Sequence, residues 1–176
     1  MSPKDEAAVA NRKEQILNSA AALFASQGYY KTTTAHVAEA VGVTQPYVFH
    51  FFKSKEQLYL AVVERAFRRM RNAFVSVDAP ADQLAFRMGE AFNALLATHR
   101  NEMLLMMQAY ATPEPAVRQF TKECFSDIYD RVKERFVNAG VPNAGREASS
   151  FISCGLIITL SEVLEMPKLS LWSDLE

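Results

Sequence analysis

Six polar residues of types that often bind nucleic acids lie close together in the sequence. They are Thr33, Thr44, Gln45, Tyr47, His50 and Lys55. A glutamine can form two hydrogen bonds to the edge of an adenine, and a tyrosine can contact a phosphate or a thymine methyl group. Lys55 and the free backbone N–H groups of a helix beginning there would bind a phosphate, and Thr33 is placed for the same role. The residue types therefore favour contact with nucleic acid.

Taken one at a time, these residues have ordinary structural explanations. Thr33 and Thr44 could act only as N-caps of helices. His50 could be a surface histidine, and Tyr47 could simply pack against its neighbours. Their combination at one spacing is what favours a shared role in binding DNA.

The sequence holds no arrangement typical of an enzyme. Its three histidines are scattered, and none is accompanied by the Ser, Cys or Asp of a catalytic set. No P-loop and no glycine-rich dinucleotide motif occurs. We therefore expect no catalytic residues, no metal site and no cofactor.

Local signals predict the helices that would position the six residues. An amphipathic helix over 11–27 stops at Gly28 and is followed by a connection of three residues, 29–31. Thr33 caps a short helix over 34–41, which ends at a left-handed Gly42. Thr44 caps a second short helix over 45–52, and a long helix over 55–75 follows its own cap, Ser54.

This order is that of a helix-turn-helix, whose second helix lies in the DNA major groove. Val48 and Phe52 are four residues apart and should face the core of this head. Gln45, Tyr47 and His50 should then lie on or near the outer side. The chain has a formal charge of −1, but residues 1–55 hold six Lys and Arg against four acids. The head is therefore the more basic part, as DNA binding would favour.

The stretch GYYKTTTAHVAEAVGVTQPYVFHFFKSKEQL closely resembles the N-terminal domain of TetR (tetracycline-repressor) family transcriptional regulators. The matching features include the glycine that closes the first helix, the threonine pair that follows, the Val-Gly-Val-Thr turn and Lys-Glu-Gln-Leu at the start of the long helix. Pro46 stands where the family usually has Gly, and Phe49 where it usually has Tyr. Phe49 lacks the hydroxyl that often contacts a phosphate, whereas His50 and Lys55 match the family pattern.

The rest of the chain also reads as helix, so we predict an all-α protein with two domains. A helix-turn-helix head spans 1–54, and the long helix joins it to a helical ligand-binding and dimerisation body that spans 55–176. Further helices are predicted over 81–98, 101–110, 114–138 and 144–165.

By resemblance, the body forms a homodimer and binds a small molecule. Adaptable Met and aromatic residues suit an apolar pocket, although each could equally belong to an ordinary core. The predicted ligand-binding residues are Phe67, Met70, Phe92, Met103, Met107, Tyr110, Phe125 and Tyr129. Charged groups at possible pocket positions are few (Arg87, Glu90, Arg100 and Glu102), which favours a hydrophobic or aromatic effector over a strongly anionic one.

The last helix is apolar on most sides and contains small residues that allow close helix approach. Its predicted dimer contacts are Phe151, Ile152, Gly155 and Ile158. The basic run Arg65, Arg68, Arg69 and Arg71 is interpreted as a solvated helix face.

We expect a ligand-responsive regulator, most simply a repressor released from palindromic operator DNA by its effector. The alternative is a helix-turn-helix protein that acts as an interaction adaptor or without an effector. The N-terminus lacks the apolar segment of a signal peptide, and no apolar run reaches the roughly 20 residues that span a bilayer, so we expect a cytoplasmic protein. Cys124 and Cys154 are most simply small buried residues, with a redox pairing left open. The effector, the operator, the target genes and the direction of regulation are not encoded in any recognisable motif.

Overall fold

The computed structural model describes residues 3–169. This part of the chain is all-α, as predicted, and ends in one short 3-10 helix. Its α-helices are α1 (Pro3–Lys31), α2 (Thr34–Val41), α3 (Gln45–Phe51), α4 (Lys55–Val75), α5 (Ala81–Thr98), α6 (Arg100–Ala111), α7 (Pro115–Asn138) and α8 (Ala144–Val163).

Local capping signals account for the helix boundaries of the head. The Thr33 side chain accepts a hydrogen bond from the His36 N–H, and Gly42 ends α2 in a left-handed conformation with φ of 70°. The Ser54 side chain likewise accepts from the Gln57 N–H at the start of α4. The predicted bounds of α2, α4 and α5 are confirmed, and those of α3, α6, α7 and α8 differ by one or two residues.

The end of α1 corrects one expectation. Residues 29–31 form a last helical turn rather than a connection, after a kink at Gly28, where φ is 79° and ψ is 170°. A residue with a β-carbon would be strained in this conformation. The buried Thr32 hydroxyl secures the kink by donating to the carbonyls of Leu23 and Gly28 at 3.1 and 2.9 Å.

The head and the body share the long helix α4. In the head, α1 packs against α2 and α4, and α2 packs against α3, around buried Ile16, Phe24, Val37, Val48 and Leu58. In the body, α4 packs against α5, α6 and α7, while α8 packs against α5, α6 and α7. Helix α1 also packs against α6, so the head contacts the body directly as well as through α4.

A buried cluster of charges ties these elements together. The Arg65 side chain of α4 is 2% exposed; its Nη1 lies 2.7 Å from Glu14 of α1, and its Nη2 lies 2.6 Å from Glu102 of α6. Arg69 contacts the same Glu102 oxygen at 2.7 Å. The expectation that the basic run forms a solvated face is therefore wrong for Arg65, because two carboxylates from distant parts of the sequence compensate its charge.

We expect Arg65→Met to lower the free energy of unfolding by about 3 kcal/mol, because Glu102 would keep only the contact to Arg69 in a buried setting. Arg65→Met combined with Glu102→Met should lose less than the sum of the two single losses, because neither charge is then left buried without its partner. Urea denaturation of the four proteins measures the cycle. Additive losses would show that the pair is not energetically coupled.

Candidate nucleic-acid interface and body cavity

The second helix of the head presents one face to the core and the other to solvent. Val48 and Phe52 are buried, as predicted, and Gln45, Tyr47 and His50 are exposed. The Phe51 ring contacts both Tyr47 and His50 edge to face, at 5.4 Å and 5.2 Å between ring centres. The outer face of α3 is thus held by packing and is not a set of loose side chains.

Gln45 is oriented by a residue that the sequence pattern did not single out. Its Nε2 donates a 2.8 Å hydrogen bond to the hydroxyl of Thr34, the buried first residue of α2. A glutamine amide carries two N–H donors and one carbonyl acceptor. One N–H and the Oε1 atom are therefore still available for a two-bond contact with the edge of an adenine.

The two predicted capping threonines differ in what their hydroxyls do. Thr33 Oγ1 accepts from the backbone of α2 at 3.2 Å. Thr44 occupies the N-cap position of α3, but its side chain forms no capping hydrogen bond within the described part of the chain. Both residues are exposed. The Thr44 hydroxyl is the freer of the two to meet a phosphate.

Lys55 points in a direction that the sequence did not indicate. Its Nζ donates to the carbonyls of Tyr29 and Tyr30 at 3.1 and 3.5 Å and lies 4.4 Å from the centre of the Tyr29 ring. The ammonium group therefore satisfies the end of α1 instead of standing free. Lys53, just before α4, is exposed and better placed for an anion. It is one of the six basic residues in positions 1–55.

The body contains a cavity of about 190 Å³ between α4, α5, α6, α7 and α8. Five of the predicted ligand-binding residues line it: Met70, Phe92, Met103, Tyr110 and Phe125. Three do not. Phe67 lies behind Phe125 in an edge contact at 5.3 Å, Tyr129 packs beside Gly145, and Met107 is half-buried elsewhere on α6.

Helix α8 supplies the wall that the sequence pattern missed. All four predicted dimer residues, Phe151, Ile152, Gly155 and Ile158, line the cavity of their own chain. Contact with the cavity therefore accounts for their apolar character within one protomer. The Phe151 ring, for example, packs against that of Phe74 at 5.2 Å. The more exposed apolar residues of α8 are Ile157 and Val163, on other sides of the helix.

The cavity wall is nearly free of charge. Among the described residues that line it, Glu147 is the single charged one, and Arg87, Glu90, Arg100 and Glu102 are absent. Burial raises the pKa of the Tyr110 phenol, so this group stays neutral. The Thr159 hydroxyl donates to the Gly155 carbonyl of its own helix at 2.9 Å. The remaining wall is mainly aromatic and aliphatic.

The two cysteines differ in environment. Burial raises the pKa of the Cys124 thiol to about 11, so this group is protonated and poorly reactive near neutral pH. Cys154 lines the cavity. Neither is in a disulfide.

Two features are absent from residues 3–169. In this part of the chain, no helix has the length and apolar character needed to cross a membrane. The same residues include no cluster of three His, Cys, Asp or Glu side chains arranged to hold a metal ion.

A short helix after a left-handed glycine, with an exposed outer face and a buried inner one, defines this chain as a helix-turn-helix protein. Residues 16–62 match the family described as bacterial regulatory proteins, tetR family. The chain thus carries a segment that matches the TetR family model. The matched residues run from the middle of α1 through α2 and α3 into α4, and so cover most of the head described above.

Among curated proteins, the chain is similar to the HTH-type transcriptional repressor KstR2 of Mycolicibacterium smegmatis. The two are 27% identical over 124 residues, which cover 68% of this chain and 60% of that protein. The chain therefore spans less than two thirds of the length of this relative.

Two solved structures show the same fold. The SmeT–triclosan complex superposes with a TM-score of 0.73 at 22% identity, over 93% of this chain and 85% of that chain. The structure of AibR with isovaleryl coenzyme A and operator DNA superposes with a TM-score of 0.66 at 23% identity, over 84% and 85% of the two chains. These likenesses extend beyond the head and include the body.

Proposed function

We propose that this protein is a DNA-binding transcriptional regulator, most simply a repressor, whose affinity for its operator changes when a small molecule occupies the body cavity. The observation that carries the proposal is the exposed face of α3, where Gln45 is held by Thr34 with base-pairing groups left over. The family match supports it, as does the repressor name of the KstR2 relative. Catalysis is not part of the proposal, and we place the protein in the cytoplasm, where operator DNA lies.

Contacts to DNA would divide into two kinds. Gln45 and Tyr47 would read base edges, while Thr33, Thr44 and His50 would contact phosphates. Because the Lys55 ammonium is bonded to α1, we assign its phosphate role to exposed Lys53 and to the backbone N–H groups at the start of α4.

Helix α6 is the proposed path from the cavity to the head. Its Met103 and Met106 line the cavity, and the adjacent Glu102 holds Arg65, which in turn holds Glu14 of α1. A ligand that moves α6 would therefore shift the balance between head positions, by as much as its affinity for the two arrangements differs. The contact between α1 and α6 gives this shift a short route to the DNA-binding surface.

A homodimer would place two heads on one palindromic site. We propose that its contact surface is the stripe of Ser149, Ser153 and Ile157 on α8, together with Leu164, which directly follows the helix. The two serine hydroxyls donate to carbonyls one turn earlier in the same helix, at 3.2 and 2.8 Å. They can therefore be covered by a partner without losing a hydrogen bond, and their small size permits close approach.

An interaction adaptor that keeps the head only as a protein-binding surface is the second candidate. No contact in the structure favours it over DNA. Salt-dependent binding to a palindromic fragment separates the two, because displacement of counterions makes DNA affinity fall steeply with salt.

Gln45→Ala should weaken binding to the specific operator by roughly tenfold or more and leave binding to random DNA nearly unchanged. Thr34→Val, which removes only the hydroxyl that orients Gln45, should give a smaller loss in the same direction. Fluorescence anisotropy on both DNAs measures the ratio, with Ser26→Ala at an exposed position of α1 as the control. Equal loss on both DNAs would argue against base reading by Gln45.

Ile157→Glu should convert the dimer to a monomer at micromolar concentration, because it places a charge in the proposed stripe. Val9→Glu changes a similarly exposed apolar residue on α1 and serves as the control. Light scattering reports the mass of each variant. A wild-type chain that is already monomeric, or a dimer unaffected by Ile157→Glu, would contradict this assignment.

Glu102→Gln should reduce the effect of a ligand on DNA more than it reduces DNA binding itself, because it weakens the link between α6 and Arg65. With a compound found by thermal-shift screening of small aromatics, we expect the ratio of DNA affinities with and without ligand to shrink by roughly fivefold or more. Glu90→Gln, on an exposed pair within α5, is the matched control. An unchanged ratio in Glu102→Gln would rule out this path.

A further inference from the structure

The cavity combines three properties that restrict its ligand: small volume, an aromatic wall and a single negative charge. A cavity of roughly 150 Å³ in another protein holds benzene, so one of about 190 Å³ admits one aromatic ring with a compact substituent. This volume lies below the roughly 300 Å³ at which pockets for larger drug-sized ligands begin. Size alone, however, does not distinguish a neutral ligand from a charged one.

The aromatic wall favours a cation. Six rings line the cavity: Phe74, Phe86, Phe92, Tyr110, Phe125 and Phe151. Their planes differ in orientation, since Phe74 and Phe92 are tilted by 40° and Tyr110 meets Phe125 edge to face at 73°. Ring faces carry partial negative charge and attract ammonium groups, and aromatic cages for quaternary ammonium ligands use this attraction.

The charges of the wall point the same way. Among the described residues, none of the lining side chains is Lys, Arg or His, so an anionic group would enter without a compensating charge. Glu147 belongs to the lining and is also exposed, which places it at the mouth, and it takes part in no ion pair with the described residues. The guanidinium of Arg87 lies 5.8 Å from the Phe86 ring but is paired with Glu90 at 2.8 Å.

We propose that the cavity selects small aromatic organic cations, with the ring among the aromatic side chains and the ammonium group directed towards Glu147. This rests on the proposed function only in treating the cavity as the effector site. A carboxylate, a sulfonate or a coenzyme A thioester is disfavoured at this site, because the wall offers no positive group to receive it.

Three probes of nearly equal shape test the proposal: benzyltrimethylammonium, its uncharged isostere neopentylbenzene, and the anion benzylsulfonate. Calorimetry with the whole chain should show the cation binding roughly threefold or more tighter than the neutral probe, and no measurable binding of the anion. Binding of the neutral probe within threefold of that of the cation or tighter, binding of the anion, or no binding of the cation would each overturn the proposal.

Two variants locate the bound cation. Glu147→Gln should weaken binding of the cation by roughly fivefold and leave binding of the neutral probe unchanged. Glu123→Gln, at an exposed position of α7, should change neither affinity. Gly89→Leu should abolish binding of both, because Gly89 lines the cavity, a β-carbon there meets no other atom within 4 Å, and the change favours helix. Cation binding that survives Gly89→Leu, or that is insensitive to Glu147→Gln, contradicts the assignment.

The DNA experiment is separate, so the two proposals can fail independently. If neopentylbenzene alone binds and releases the operator, the proposed function stands and the cation selectivity falls. If benzyltrimethylammonium binds as expected but leaves operator affinity unchanged, the selectivity stands and the effector role of the cavity falls.

Discussion

The burial of one charge, that of Arg65, constrains how the head and the body of this protein fit together. A guanidinium at 2% exposure is tolerable only where carboxylates reach it, and the two that do so come from α1 and α6. Three helices must therefore meet at one place with little freedom in their spacing. The neighbouring hydrogen bond from Gln108 of α6 to the Ala25 carbonyl of α1, at 2.8 Å, fixes the same junction from the other side.

This junction also explains why the boundary between head and body is hard to draw. The buried apolar residues of head and body form one connected cluster, α1 packs against α6, and the buried Tyr59 of α4 contacts the Phe24 ring at 5.0 Å. The division at residue 54 stays a prediction based on sequence pattern. Helix α4 contributes buried residues to both head and body, and a displacement of α6 reaches the head through its contacts with α1 and with α4.

Much of the helical framework could be predicted because its determinants are local. Thr33, Gly42 and Ser54 act on groups within a few residues of themselves, so the bounds of α2 and α4 follow from sequence alone. The direction taken by Lys55 depends on a partner 26 residues away in the sequence, and the burial of Arg65 depends on one 51 residues away. Periodicity reveals neither contact. The same limit applies to α8: a helix apolar on most sides could face a partner or a cavity, and only the packing shows that Phe151 and Gly155 face the cavity.

The bond from Lys55 to the last turn of α1 has a consequence for how the head could change. Together with the Gly28 kink, it joins the end of α1 directly to the start of α4. Helices α2 and α3 therefore lie in a segment whose two ends are held together. The exposed positions of α3 can then be exchanged while this closure and the buried Val48 keep the helix in place. If α3 reads operator DNA as proposed, the DNA sequence that it prefers can change at these exposed positions without disturbing the packing behind them.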